Sequence, residues 1–540
     1  MKIQTFSIVA LVACCGTASA QYRTINGSGN NVQNLNWGSV GMQLNRMGTA
    51  TYGDGIGSLV DRGNVRSISN ILSTQTAAPN TNTRQLSSMF WQWGQFLDHD
   101  ITLISEGPES AAINIPAGDP YFDPFNTGTQ TMPFHRSAYI NGVSSPREHQ
   151  NEITHWIDGS MVYGSDTTRA SALREFSGGR MLMDSNGYLP KNTAGLPNAG
   201  SSSPDFYLAG DVRANEQTGL LGMHTVFVRE HNYWADRISQ QNPFMNDEEI
   251  YQTARKVVGA EIQSITYNEW LPSLLGGHGL GSYSGYDSTV NPNLSTEFSA
   301  AAFRFGHSML NDQLLRIDAN GQTYAGGHLD LAASFFNPSL ISEPGSLDAV
   351  MRGLAFQEAN EIDTQAVDAV RNMLFGPPGA GGLDLISLNI QRGRDHGVSD
   401  YNTLRETMGL TRVADFAEIT SDPILAQDLS VAYGTVDNID AWIGLMAEDH
   451  LSGASVGETM AAIFTSQFYC LREGDSYFYL NDPLLQGLVG EIDATSLADV
   501  LMRTTAVGML QGNVFVVPAP GVASVLVCGG VLAGRRRRRA

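Results

Sequence analysis

The sequence predicts a mainly α fold: a single large helical domain with long loops and little β-structure. Three observations predict it. Apolar residues recur at helical spacing over Ser87 to Ile104, Leu220 to Gln240, Glu248 to Leu275, Thr296 to Leu310 and Ser455 to Cys470, as in helices that bury one face. Alternating apolar and polar runs, the mark of half-buried strands, are few. Between Tyr22 and Val514 no charge block, repeat or linker divides the chain, so the helices belong to one unit.

The elements follow in order. The first helical segment carries Trp91-Gln92-Trp93-Gly94-Gln95-Phe96-Leu97-Asp98-His99-Asp100. Successive helical side chains point about 100° apart, so Asp98, His99 and Asp100 face three directions and can serve three sites. The second segment holds His224 and His231, seven apart on one face, which read as structural. Gly276 to Gly285 and Gly376 to Gly382 read as loops. The last segment opens with Ser455-Val456-Gly457-Glu458, the spacing of a capping box.

Of the 540 residues, 42% are apolar and 16% charged, a balance that supports a large core and excludes a disordered chain. The net charge of -22 repels polyanions and anionic membranes, so nucleic acid is not an expected partner. The cysteines are Cys14, Cys15, Cys470 and Cys528; only Cys470 lies in the body, which leaves no internal disulfide framework and no Cys-x-x-Cys zinc pair.

Both ends read as addresses. Residues 1–20 have the form of a secretory signal: Lys2, an apolar run from Phe6 to Cys15, and the small-residue site Ala18-Ser19-Ala20. The other end, 516–540, runs through Val517-Pro518-Ala519-Pro520 and the apolar Gly521 to Gly534 into Arg535 to Arg539. It resembles the PEP-CTERM sorting signal of Gram-negative bacteria, with Ala519 where Glu often stands between the prolines. The expected product is secreted or held at the cell surface, with sorting machinery as a partner and membrane contact only through the tail.

Four further segments carry residues of chemical interest. Thr154-His155-Trp156-Ile157-Asp158-Gly159-Ser160 offers hydroxyls, a carboxylate and carbonyls, the hard oxygen ligands of calcium. Leu208 to Gln217 contains Arg213 just before a helical run, where it can project into a cavity. Ala302-Phe303-Arg304-Phe305-Gly306-His307 and Leu388-Asn389-Ile390-Gln391-Arg392-Gly393-Arg394-Asp395-His396-Gly397 complete the set. No His-Glu-x-x-His is present, which removes the zinc-protease reading.

Each segment alone is ambiguous, but in this order they resemble the animal haem peroxidase (peroxidase–cyclooxygenase) family, in its peroxidasin-like and bacterial branches. The likeness runs from Tyr22-Arg23-Thr24-Ile25-Asn26-Gly27 to Leu471-Arg472-Glu473-Gly474-Asp475. It implies a catalytic domain over 21–515, haem b as cofactor, and a peroxidase reaction. Hydrogen peroxide would oxidise the haem to an oxoferryl state, which then takes electrons from halide or pseudohalide ions or small organic reductants.

The resemblance also implies roles. His99 matches the distal histidine, Gln95 the glutamine beside it and Arg213 the distal arginine. A neutral imidazole can carry a proton from one peroxide oxygen to the other, and a guanidinium can stabilise charge on the departing oxygen. His307 matches the proximal ligand of the haem iron, Asn389 the partner of its second ring nitrogen, and Arg304 and Arg392 the residues near the haem propionates. Asp98 and Glu216 match the carboxylates that form ester bonds to haem. Gln217 stands where one mammalian member has a methionine bonded to haem, so that third link cannot form. Asp100, Thr154, Trp156 through its carbonyl, Asp158 and Ser160 match the site of one calcium ion. A fatty-acid oxygenase would need a tyrosine near the proximal histidine, where Arg304 and Phe305 stand instead.

Overall fold

The computed structural model describes residues 21–75 and 80–517. The expected signal at 1–20, and the expected tail beyond Val517, lie outside the described residues. Helices dominate, and among the described residues the named strands form four two-stranded antiparallel pairs. The longest pairs Glu106–Ser110 with His135–Ser137. Among the described residues no helix is long and apolar enough to cross a membrane.

The helix Ser88–Ile101 runs through the core, with eleven of its fourteen residues buried. Two longer helices, Thr218–Gln241 and Asp247–Ile265, pack along each other, joined by a short turn. The second starts with a true capping box: Asn246 accepts from the Glu249 N–H, and Glu249 reaches back to the Asn246 N–H. Aromatic rings weld the first of these helices to the Thr218–Gln241 helix. Phe96 lies 5.0 Å from Phe227 and Trp93 lies 5.7 Å from it, centroid to centroid, and such pairs add about 0.5–1.5 kcal/mol beyond their buried area.

Two predicted helices are interrupted, each for a visible reason. Over 248–275 the α-helix ends at Ile265, widens into a π turn at Thr266–Trp270 and resumes at Leu271–Leu275. Pro272 lacks an N–H and its ring crowds the carbonyl four residues earlier, and the wider turn absorbs the mismatch. It also lets the Trp270 indole N–H reach the Phe90 carbonyl at 3.0 Å. The expected helix from 296 stops at Ala300, and a 3-10 segment, Ala302–His307, follows. There the Arg304 side chain takes the Ser299 carbonyl at 3.2 Å, the one a continuous helix would give to the N–H of residue 303.

The capping box expected at Ser455–Glu458 does not form. The helix there is Glu458–Glu473, with Gly457 at its cap and no side-chain capping bond. Ser455 Oγ instead accepts from Arg84, and Glu458 pairs with Arg405. The spacing was right, but tertiary partners claimed both side chains. Gly376 to Gly382 is a loop as expected, and Cys470 is a free, half-buried thiol.

Candidate active site

The Ser88–Ile101 helix, the loop leading into Thr218–Gln241, the 3-10 segment and the helix Leu385–Asp395 enclose one cavity of about 630 Å³. That volume lies in the range of cofactor and ligand sites. Gln95, Asp98, His99, Arg213 and Glu216 line it from one group of elements; Arg304, His307 and Arg392 line it from another. All eight were singled out from sequence, and folding brings them to one space. Asn389 lies behind His307.

On the His99 wall, the Arg213 guanidinium is gripped by Asp211 at 2.8 and 2.9 Å, donates to the Thr102 carbonyl at 2.9 Å and meets Asp98 at 3.3 Å. Burial, with Arg213 beside it, pushes His99 well below the usual imidazole range, so at neutral pH the ring is uncharged and able to accept a proton. Gln95 donates to Glu216 at 3.3 Å and is braced by Gln217 at 3.0 Å. Gln217 is itself fixed: its amide caps the next helix by accepting from the Gly219 N–H at 2.6 Å. Burial raises Asp98 to about 6 and Glu216 to about 7, against the opposing pull of Arg213.

On the opposite wall, burial and then Arg304 lower His307 to about 3, leaving a neutral ring suited to metal ligation. Its Nδ1 lies against the Asn389 amide, 3.1 Å from the oxygen. Arg304 makes no ion pair with a carboxylate among the described residues; burial and the nearby Arg392 lower it to about 10. A cavity-facing cation that is paired with no carboxylate suits a ligand that brings its own. Arg392 bonds the His135 carbonyl and Ser137 Oγ, each at 2.9 Å, and pairs with Asp395 at 3.0 Å. These donors fit haem: a neutral imidazole for iron, guanidinium groups for propionates, and an apolar wall of Leu331, Phe335, Leu374 and Leu388 for the ring edges. No tyrosine lines the cavity among the described residues.

Asp100 points away from the cavity into the 154–160 loop. Its Oδ2 accepts the Asp158 and Gly159 N–H groups, both at 3.1 Å, and Ser160 Oγ donates to its carbonyl at 2.7 Å. Thr154 Oγ1 donates to Asp158 at 3.1 Å. Trp156 is buried in the same loop, its indole donating to the Gly27 carbonyl at 3.0 Å. Asp100 Oδ1 and Asp158 Oδ2 are buried without a partner. Burial, with Asp158 beside it, raises Asp100 to about 8, and burial raises Asp158 as well. Two orphaned carboxylate oxygens amid hydroxyls and carbonyls form a donor set that fits a hard cation.

Comparison with known proteins decides the family. The sequence model of the animal haem peroxidase family matches residues 22–515. The chain belongs to that family. It is a haem peroxidase, an oxidoreductase that uses peroxide and a reductant. Peroxinectin A of Dictyostelium discoideum is 36% identical, over 95% of this chain and 99% of its own length. Eosinophil peroxidase of Homo sapiens is 35% identical over 85% of this chain and 72% of its own. The peroxidasin homolog of Mus musculus is 34% identical over 92% of this chain but only 37% of its own length. Among solved structures, peroxidase A from D. discoideum superposes with a TM-score of 0.86 at 36% identity, covering 92% of this chain and 99% of the other. A fatty acid alpha-dioxygenase of Oryza sativa, at TM-score 0.76 and 23% identity over 92% of this chain and 87% of its own, shares the fold.

Asp211 lies within the Leu208 to Gln217 segment but has no role in the sequence analysis, which also passes over Thr102 and Ser137. For Asp211 a signal existed: a carboxylate two residues before an arginine in the Gly210-Asp211-Val212-Arg213 turn. Thr102 acts through its carbonyl, which no side-chain pattern reveals. His224 and His231 are structural as read; they bond the Met161 carbonyl, and Tyr163 with the Gly179 carbonyl, respectively.

Proposed function

We propose that this haem peroxidase is exported and oxidises halide or pseudohalide ions or small organic reductants. The observation that carries the site assignment is the single cavity lined by His99 and Arg213 as well as by His307. His307 would ligate the iron through Nε2, with Asn389 fixing the ring. Arg304 and Arg392 would hold the propionates, and Asp98 and Glu216 would form the ester links. Asp100, Thr154, the Trp156 carbonyl, Asp158 and Ser160 would hold one calcium ion next to His99.

Bound haem supplies the redox chemistry. The chain's own groups handle the proton and the charge. His99 Nε2 takes the proton from the near oxygen of peroxide and returns it to the far oxygen as the O–O bond breaks. Arg213 faces the charge developing on that departing oxygen. Gln95 and Glu216, tied to each other, bound the space in which the reductant meets this wall. The tyrosine-free lining supports peroxidase over fatty-acid oxygenase, which would need a phenol beside His307.

Export rests on the sequence pattern of 1–20, and surface sorting in a Gram-negative bacterium on 516–540; the catalytic domain would be 21–515. Steady-state kinetics of haem-loaded protein with peroxide against chloride, bromide, iodide, thiocyanate and a phenol tests the reductant class. Turnover of none of them would overturn it. Loss of the methionine link at Gln217 leads us to expect weak activity with chloride.

A further inference from the structure

We propose that Asp211 is the positioning residue of the peroxide-cleaving wall, one carboxylate that fixes both the Arg213 guanidinium and the His99 ring. The inference rests on the roles given above to those two side chains. Asp211 is buried, its side chain 1% exposed. Its Oδ1 accepts the Arg213 backbone N–H at 2.8 Å and Nε at 2.9 Å, and its Oδ2 accepts the terminal nitrogen at 2.8 Å. Two parallel charged bonds set the plane of a guanidinium, not merely its location.

The same Oδ1 lies 3.5 Å from His99 Nδ1, a nitrogen that is buried and has no hydrogen-bond partner. Catalytic hydrogen bonds are often long without substrate and tighten in the complex. A carboxylate at Nδ1 selects the tautomer with the proton there, leaving the Nε2 lone pair free to act as base. His224, whose ring is 6.3 Å from His99, has its own Nδ1 committed to the Met161 carbonyl at 3.1 Å.

The anchor is rigid. The Asp211 N–H donates to the Met161 carbonyl at 3.1 Å. Gly210 threads so close to the 160–164 backbone that a Cβ there would lie 2.5 Å from the Ser160 oxygen. Asp211 also gains weight from the proposed esters. Asp98, the other carboxylate on Arg213, would lose its charge on esterification, as would Glu216. Asp211 would then be the one anion left against Arg213 on this wall.

The test uses haem-loaded, full-length Asp211→Asn and Asp211→Ala variants, with His99→Gln and Arg213→Gln as controls. Stopped-flow absorbance gives the second-order rate with peroxide; steady state at saturating peroxide gives reductant-limited turnover. We expect Asp211→Asn to keep its Soret band and reductant-limited turnover while its peroxide rate falls at least about 100-fold. Retention of the wild-type peroxide rate overturns the proposal. So does an equal fall in both rates, which marks a merely structural residue. If Asp211→Ala fails to take haem, the isosteric Asn variant decides. If His99→Gln and Arg213→Gln also react at the wild-type rate, the reading of the wall itself fails; if only Asp211→Asn does, this inference alone falls.

Discussion

The Asn389 side-chain amide sits directly on His307 Nδ1, with its oxygen at 3.1 Å and its nitrogen at 2.8 Å. A ring that ligates iron through Nε2 carries its proton on Nδ1, so the oxygen is the end that serves. Arg304 donates to the same oxygen at 3.4 Å, which binds His307, its partner and a cavity cation into one unit.

That unit predicts the first pair of variants. Asn389→Ala should weaken haem retention or activity by about 10–100-fold, the usual effect of losing a partner that orients a metal ligand. Asn389→Asp replaces a weak acceptor with a strong one, makes the imidazole more basic, and should lower the reduction potential of the haem iron. Spectroelectrochemical titration checks the direction; an unchanged or higher potential counts against His307 as the ligand.

Removal of calcium should loosen the His99 wall, because Asp100 follows His99 directly and its Oδ2 anchors the 154–160 loop. Dialysis against a calcium chelator is expected to lower activity and melting temperature, with added calcium restoring both. At a calcium concentration 100 times its dissociation constant the stabilisation is about 2.7 kcal/mol. Full turnover after complete, verified calcium removal would sink the assignment.

Covalent attachment gives a direct chemical prediction. Acidified solvent should fail to extract haem from the native protein, and mass spectrometry should find haem on peptides containing Asp98 and Glu216. Each single variant, Asp98→Asn or Glu216→Gln, should keep one link, and the double variant should release its haem. Free extraction of haem from the mature native protein would rule the esters out.

Stability has its own signature far from the cavity. Arg66 is fully buried and binds Asp119 at 2.7 Å, Asp384 at 2.8 Å and Asn372 at 2.7 Å. Arg66→Met strands two buried carboxylates and should cost about 3–5 kcal/mol, measured by urea unfolding at pH 7. Burial opposes ionisation of Asp119, but bonds from Arg66, Asn70 and the Phe122 N–H outweigh it and hold the group at about 2, against about 3.9 unfolded. A depressed folded value stabilises above the unfolded pKa and is lost as pH falls through the folded one. Acid unfolding should therefore steepen between pH 4 and 2, and Arg66→Met should flatten that limb. Identical acid limbs in the two proteins would remove Asp119 from the account.

Much of the site was legible because its parts sit on short, regular stretches. Asp98, His99 and Asp100 are consecutive on one helix, so helical geometry alone sends them three ways, two to the cavity and one to the 154–160 loop. Where sequence reading failed, side chains had left local partners for distant ones. Ser455 and Glu458 carry the letters of a cap, yet Arg84 and Arg405 hold them. The break after Ala300 is a local exception, where the Arg304 guanidinium takes the Ser299 carbonyl from five residues away.

By itself the sequence determined the helical class and the residue types that peroxide chemistry needs, because periodicity and side-chain chemistry are local properties. Only the tertiary structure decided that His99 and His307, over 200 residues apart, line one cavity, and that Asp211 touches both Arg213 and His99. Such contacts arise from packing of whole elements around a shared core, and no window of sequence contains both partners.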